Sequence, residues 1–389
     1  MSHQKTILQG NVVLPNRVLE NGMVIFEEGI IHYVGPPLDE YKGKEKVVLP
    51  GYIWPGLIDL HVHGAGGKDV MDGTKESLEI ISQTLVRFGV TGFLATTLTM
   101  DKRSLEKVFF TIAEAVPRLR HGAQVLGIHL EGPWICSRYR GAQNPQYIVD
   151  PIQGDAEWGV EKTKGLLRLV TLAPELPGAL DLIRSLVQKN VIVSIGHTGA
   201  TYDEALAGVL AGASQVTHCF NAMTGLHHRD PGVAGIAMVD DRLKVELIAD
   251  GFHVHPVVVQ LLVKVKDVEK LILISDGMRA VGMPEGDYEL GGLKVTARGG
   301  KVTLPDGRLA GSLLTLDQAV RNVIQFAEIP LWQAVRMASL TPAQSLGIDD
   351  KLGSIEPGKQ ADLVVTDQNL QVRTVWVKGR LVYDSTLHN

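Results

Sequence analysis

The chain has 389 residues, of which 45% are hydrophobic and 21% are charged, and its formal net charge is −5. This balance predicts a folded globular protein with one large and one smaller domain, or two to three domains. The absence of a basic stripe argues against nucleic-acid binding, and the longest apolar runs are far shorter than the ~20 residues of a membrane span. Two cysteines and an N-terminus without a signal-peptide pattern favour a cytoplasmic protein.

Both ends of the chain have the pattern of short strands. Apolar segments such as Ile30–Val34 and Lys46–Leu49 are separated by turn residues, and no helical period appears in residues 1–55. The tail, residues 345–389, has the same texture, for example at Thr374–Lys378. We therefore predict that the two ends pair into one small β-sandwich domain.

Between the two ends, residues 56–344 alternate between strand-like and helical segments. Eight short apolar runs have strand character: Gly56–His63, Thr91–Thr97, Val125–Glu131, Leu167–Ala173, Val191–His197, Gln215–His218, Lys244–Asp250 and Leu271–Asp276. Eight strands alternating with helices fit a (β/α)8 barrel of the TIM type, which takes roughly 250 residues. A doubly wound open sheet is the alternative, but no Gly-x-Gly-x-x-Gly turn follows the first strand.

A stretch rich in glycine and proline, near 284–311, interrupts this alternation after the eighth predicted strand. Short β-type pieces lie between its turn residues, so we predict a β-hairpin insertion. Because it follows directly on a strand end, we expect the insertion to lie near the mouth of the barrel.

Histidines and carboxylates stand where five of the eight predicted strands end. They are His61, His63, His129, Glu131, His197, His218 and Asp276. The carboxyl ends of the strands face the active site of such a barrel, so these side chains should meet. Imidazole and carboxylate are ordinary ligands of Zn²⁺ and Fe²⁺. The pattern therefore predicts a site for one or two divalent metal ions, zinc or iron.

Several motifs resemble the amidohydrolase superfamily and, within it, the branch that deacetylates N-acetylated hexosamine 6-phosphates. They include Pro55–Gly64, Gly127–Trp134, Ser194–Thr198, Thr217–Met223 and Pro357–Leu363. Many binuclear members carry a bridging lysine on the fourth strand, which this chain lacks. Glu131 is the expected substitute, and Glu175 is expected to act behind the site or to cap a loop.

The resemblance also implies roles for individual residues. Glu131, His197 and His218 would hold one metal ion, and His61 and His63 would allow a second. Asp276 would be the catalytic carboxylate and a further ligand. The implied substrate contacts are Gln143, Asn221, Ala222, Arg229, His253, Gly311 and Ser312. In a homodimer, Arg229 would reach into the neighbouring subunit's site.

The implied reaction is metal-dependent hydrolysis of the acetamide of N-acetylglucosamine 6-phosphate in amino-sugar catabolism. Two other substrates stay open. N-acetylgalactosamine 6-phosphate is one, because Gln143 stands where the family pattern leads us to expect a sugar-contacting histidine. A cyclic amide is the other, although the missing lysine and the Arg229 motif count against it. A non-catalytic barrel is disfavoured because the six predicted ligands are all retained.

Overall fold

A computed structural model of the chain describes residues 5–41 and 47–387. The outermost ends of the predicted small domain, and Lys46 of one predicted strand, lie outside the described residues. Within the described part, no helix combines the length and the apolar character needed to cross a membrane.

The central sheet contains eight parallel strands among the described residues. They are Leu57–Val62, Val90–Thr97, Gln124–Glu131, Leu167–Leu172, Ile192–Ile195, Gln215–Val216, Lys244–Leu247 and Leu271–Leu273. Each strand pairs with the next one along the chain. The first and last are joined by a parallel bridge between Val62 and Gly277, and the N–H of Asp276 donates to the His61 carbonyl at 2.9 Å. The sheet is therefore nearly closed, which confirms the predicted (β/α)8 barrel.

Helices connect these strands and continue after the eighth one. Their bounds are Lys75–Val86, Lys102–Ala115, Asp155–Lys162, Ala179–Gln188, Tyr202–Ala211, Gly232–Val239, Pro256–Val265, Leu316–Ala327, Leu331–Met337 and Leu340–Leu346. Polar side chains cap several of these helices: Thr74 and Asp101 accept backbone N–H groups at the first two N-termini. Thr201 and Glu204 form the complete capping box at the fifth.

Strands from both chain ends form one seven-stranded sheet. They are Thr6–Leu14, Arg17–Glu27, Ile30–Gly35, Val47–Pro55, Leu363–Thr366, Val372–Val377 and Arg380–Asp384. Val47–Pro55 joins the two ends, because it pairs in parallel with Thr6–Leu14 and antiparallel with Leu363–Thr366. Buried side chains such as Phe26 and Trp376 form its apolar core. The two chain ends thus combine into a small β domain, as predicted.

The predicted insertion contains three antiparallel strands, one more than a hairpin. They are Gly286–Leu290, Leu293–Arg298 and Lys301–Thr303. Their buried side chains, including Leu290 and Val295, pack against Leu98 and Met278. Leu98 directly follows the second barrel strand, so the insertion covers part of the mouth of the barrel. A short hairpin follows the first barrel strand; its two strands, Gly64–Ala65 and Lys68–Asp69, have two residues each.

Candidate metal centre and substrate cavity

The six predicted ligands meet in two groups at the carboxyl end of the barrel. One group is His61, His63 and Asp276, and the other is Glu131, His197 and His218. Within each group the ligand atoms lie within 4.8 Å of one another, and all six residues are buried. Glu131 joins the groups, because its Oε1 lies 3.3 Å from His61 Nε2 and 3.1 Å from His197 Nε2.

In three of the four histidines, Nδ1 faces away from the centre and lies within hydrogen-bonding distance of an oxygen acceptor. The acceptors are Glu246 Oε2 at 3.2 Å for His61, the Thr96 carbonyl at 3.3 Å for His63 and the Tyr139 carbonyl at 3.0 Å for His197. A neutral ring that donates from Nδ1 carries its lone pair on Nε2. The acceptors therefore select the tautomer that directs an Nε2 lone pair at the centre.

The spacing of the Nε2 atoms fits a shared cation. His61 Nε2 lies 3.3 Å from His63 Nε2, and His197 Nε2 lies 3.1 Å from His218 Nε2. Neighbouring ligands of a tetrahedral zinc ion with Zn–N bonds of 2.0–2.1 Å are roughly 3.3 Å apart. Two facing lone pairs at this distance repel each other unless a proton or a metal ion lies between them. The donor set of imidazole and carboxylate therefore fits a divalent metal.

Three of the predicted ligands occupy a backbone conformation that non-glycine residues rarely adopt. The angle φ is 47° at His197, 28° at His218 and 49° at Asp276, and each residue comes shortly after a barrel strand. Such a conformation costs about 1–3 kcal/mol per residue. All three side chains reach the centre. We infer that this unfavourable conformation is retained because it positions them there.

The centre attracts positive charge. Burial opposes ionisation of Glu131, but His61 and His197 hold the pKa of its carboxyl well below the ordinary range. Burial likewise opposes ionisation of Asp276, and His61 and His63 lower its pKa to about 2. Burial also opposes the charge on His61, yet Glu131 and Asp276 raise the pKa of that imidazole well above 6.5. Protons and metal ions therefore compete for the same atoms.

A cavity of about 130 Å³ opens above the two groups. Its wall includes five of the seven predicted substrate residues: Gln143, Asn221, Ala222, His253 and Gly311. Ser312 is not in the wall, and its hydroxyl donates to the Ser275 carbonyl at 2.6 Å. Arg229 is exposed outside the cavity, where its Nη1 lies 2.8 Å from His228 Nε2. The single chain therefore brings together all of the predicted site except these two residues.

Gln143 contacts Glu131 as well as the cavity. Its Oε1 accepts the N–H of Thr99 at 2.8 Å, and its Nε2 donates to Glu131 Oε2 at 2.6 Å. A backbone N–H is only a donor and a carboxylate only an acceptor, so the orientation of this amide is determined. Gln143 thereby holds the shared carboxylate in place.

The loop after the sixth barrel strand curls into a concave backbone surface. Left-handed residues alternate along it, with φ of 28° at His218, 77° at Phe220 and 50° at Ala222. Most N–H groups of the loop donate within the protein: those of His218 and Cys219 to Glu246, and that of Asn221 to the His218 carbonyl at 3.0 Å. Asn221 and Ala222 of this loop line the cavity, so the loop borders the centre.

The Amidohydrolase family matches residues 52–382 of the chain. The chain belongs to this family. It is 42% identical to N-acetylglucosamine-6-phosphate deacetylase of Vibrio furnissii over 336 residues, which are 86% of this chain and 84% of that protein. It is 40% identical to N-acetylgalactosamine-6-phosphate deacetylase of Escherichia coli O157:H7 over 364 residues, 93% and 95% of the two chains.

A solved structure has the same fold over nearly the whole length. It is a mutant N-acetyl-D-glucosamine-6-phosphate deacetylase of Mycobacterium smegmatis in complex with N-acetyl-D-glucosamine-6-phosphate. Its TM-score is 0.92 at 32% identity, and the match covers 97% of this chain and 99% of that one. The barrel and the small β domain of this amidohydrolase therefore follow an established arrangement.

One histidine and one glutamate outside the two ligand groups support the structure around the site of this amidohydrolase. His129 uses both ring nitrogens below the centre, with Nδ1 3.1 Å from the Leu60 carbonyl and Nε2 2.8 Å from Thr171 Oγ1. Glu175 accepts the N–H of Gly199 at 2.6 Å, and the Thr198 hydroxyl donates to it at 2.6 Å. Glu175 thus caps the loop after His197, one of the two roles that the sequence left open.

Sequence reasoning missed Glu246. This residue lies inside the short strand Lys244–Leu247 and is 0% exposed. Its Oε2 accepts the N–H of His218 at 3.2 Å and lies 3.2 Å from His61 Nδ1. The available signal was a charged residue within an apolar strand of a parallel barrel, where a glutamate is rarely buried without a partner.

Proposed function

We propose that this amidohydrolase hydrolyses the acetamide of N-acetylated hexosamine 6-phosphates, with N-acetylglucosamine 6-phosphate as the main substrate, in amino-sugar catabolism. The observation that carries the proposal is the cavity whose wall combines members of both ligand groups with the predicted substrate residues Asn221, Ala222 and His253. The deacetylase names of the relatives fit it, because their substrates contain both an acetamide and a phosphate.

In this proposal the chain positions the amide and moves one proton. A divalent ion, zinc or iron, held by Glu131, His197 and His218 would lower the pKa of water and polarise the acetyl carbonyl. Asp276 accepts the proton of the attacking water and then passes it to the amine nitrogen as the C–N bond breaks. His253 is held by Asp250, since its Nδ1 lies 2.7 Å from Asp250 Oδ2, and its ring orients the acetyl group from the cavity wall.

The phosphate requires a positive charge that the described part of one chain does not provide in the cavity wall. No lysine or arginine lines the cavity among these residues. The Asn221 N–H and side-chain amide donate to carbonyls of their own loop, and a phosphate dianion is bound strongly by a guanidinium. We infer a homodimer in which the exposed Arg229 enters the neighbouring subunit's cavity.

Replacing Arg229 with alanine should raise KM for N-acetylglucosamine 6-phosphate by about 10- to 100-fold and change kcat little. The reason is the loss of a charge-assisted hydrogen bond to a group remote from the reaction, worth about 1.5–3 kcal/mol. Steady-state kinetics on the phosphorylated and unphosphorylated sugars measures the effect. Arg242→Ala, which removes a half-exposed arginine paired with Asp240, is the matched control. Equal losses on both sugars would contradict phosphate recognition by Arg229.

Acetate release from the two epimeric 6-phosphates tests the function itself. The galactosamine epimer is the second candidate, since Gln143 replaces the expected histidine and one relative bears that name. The protein should be loaded with Zn²⁺ or Fe²⁺, and its metal content measured in the same preparation. Higher kcat/KM for the glucosamine epimer is the expected result. A metal-loaded protein that releases acetate from neither sugar would contradict the proposal.

Metal binding should weaken as the pH falls. The pKa values of His61 and His63 are raised above 6.5 in the metal-free protein: burial opposes this, and the carboxylates Glu131 and Asp276 outweigh it. As the pH drops through these raised values, protons occupy the Nε2 atoms, and a metal ion must displace them. Calorimetric Zn²⁺ titrations at neutral pH, in two buffers of different ionisation enthalpy, should therefore detect proton release. Binding without proton release would contradict this competition.

A further inference from the structure

Glu246 lies beneath the metal centre and accepts three hydrogen bonds. Its Oε2 faces His61 Nδ1 and the N–H of His218, each at 3.2 Å, and its Oε1 accepts the side-chain amide of Gln215 at 2.6 Å. The carbonyl oxygen of Gln215 accepts in turn from the Ser345 hydroxyl at 2.7 Å. Because Glu246 is 0% exposed, it contacts ligands of the centre but no substrate.

The contact with His61 decides which nitrogen of that ring carries the proton. The Nε2 atom of His61 faces His63 Nε2 at 3.3 Å and Asp276 Oδ1 at 3.5 Å, so it is the atom available to a metal. This requires the proton to be on Nδ1, and Glu246 is the acceptor that the described residues offer there. Without it, the ring is free to adopt the other tautomer, whose Nε2–H cannot bind a cation.

Glu246 also makes the two ligand groups unequal in charge. His63 and His197 donate from Nδ1 to neutral carbonyls, and His218 Nδ1 has no hydrogen-bond partner among the described residues. His61 alone among the four has a carboxylate behind it. A carboxylate behind a ligating imidazole raises its basicity and offsets part of the charge of a buried divalent ion.

We propose that Glu246 is a positioning residue for a second metal ion, held by His61, His63 and Asp276. This inference rests on the proposed metal-dependent function. It means that a residue of the seventh barrel strand controls whether the second metal position is occupied. Glu246 acts through His61 and does not touch the reacting atoms. Its removal should therefore affect one ion more than the other.

Counting Zn²⁺ per chain in the full-length protein tests the proposal. At equal free Zn²⁺ the parent protein should bind two equivalents. Glu246→Gln should raise the dissociation constant of the weaker ion by about 10- to 100-fold, so that one equivalent remains. Glutamine is nearly isosteric: its carbonyl can accept from His61 and from the His218 N–H while Gln215 reverses its amide, so the variant should fold. It then lacks only the negative charge behind His61. The change to measure is the loss of one equivalent with the other retained, which general destabilisation would not produce.

Asp362→Asn is the matched control. Asp362 is a buried carboxylate remote from the centre that accepts the Lys378 N–H at 2.7 Å and the Gln124 side-chain amide at 2.8 Å. The Asp362→Asn variant should keep both zinc equivalents. Two equivalents with unchanged affinity in Glu246→Gln, or a single equivalent in the parent protein, would overturn the proposal.

A measurement on the parent protein keeps the test independent of folding in the variant. In the zinc-loaded protein, ¹⁵N–¹H NMR of the histidine side chains should detect a slowly exchanging proton on His61 Nδ1. A proton on Nε2 instead would overturn the proposal. If acetate release is normal while both ions survive Glu246→Gln, the positioning role fails and the deacetylase function stands. If the loaded parent protein releases no acetate, the function fails, and the zinc count remains interpretable.

Discussion

Asp276→Asn should lower kcat by about a thousandfold or more, because asparagine cannot accept and return the proton that hydrolysis moves. The carboxylate is suited to this role by its position: it lines the cavity, and its Oδ1 lies 3.2 Å from His63 Nε2 on the floor. Asparagine has nearly the same volume, so packing around the residue should be preserved. Acetate release under saturating N-acetylglucosamine 6-phosphate measures the loss.

The metal content of the same variant separates proton transfer from metal loss. The ion at Glu131, His197 and His218 does not depend on Asp276 and should remain, so at least one zinc equivalent per chain is expected. Asp362→Asn should leave kcat close to that of the parent protein. More than a few per cent of the parent rate in Asp276→Asn would rule out Asp276 as the acid and base.

The barrel and the meeting of the six predicted ligands could be predicted because their signals are local in sequence. A parallel strand buried on both faces reads as an apolar run, and a polar residue where such a run ends is exceptional. His197, His218 and Asp276 each stand at such an end, and barrel closure through Val62 and Gly277 brings the ends together. Periodicity and strand-end position therefore sufficed for this part of the site.

The remaining features depend on contacts between distant segments. The carboxylate of Glu246 meets His61 across 185 positions of sequence, and nothing near either residue indicates the pair. The resemblance implied a sugar contact for Gln143, and the sequence did not indicate that its amide also binds Glu131. The left-handed residues around Phe220 are not glycines, so the sequence does not indicate the shape of this loop. Tertiary contacts select these conformations.

Glu131→Gln should remove the ion held by Glu131, His197 and His218 and lower kcat/KM by about a thousandfold or more. The two oxygens of Glu131 have different partners: one accepts a hydrogen bond and the other faces the imidazole nitrogens. Oε2 accepts an N–H from Gln143 at 2.6 Å, while Oε1 lies 3.1 Å from His197 Nε2 and 3.3 Å from His218 Nε2. Glutamine satisfies Gln143 only by directing its own NH₂ at the imidazoles.

That NH₂ group donates hydrogen bonds to the Nε2 lone pairs and occupies the directions that a metal ion would use. The variant should therefore stay folded, with a melting temperature close to that of the parent protein, and lose at least one zinc equivalent. Zinc counting, thermal unfolding and acetate release on one preparation distinguish the outcomes. A variant that keeps every zinc equivalent would mean that Glu131 is dispensable as a ligand. Loss of all ions would mean that the second group also depends on this shared carboxylate, as the 3.3 Å approach of Oε1 to His61 Nε2 allows.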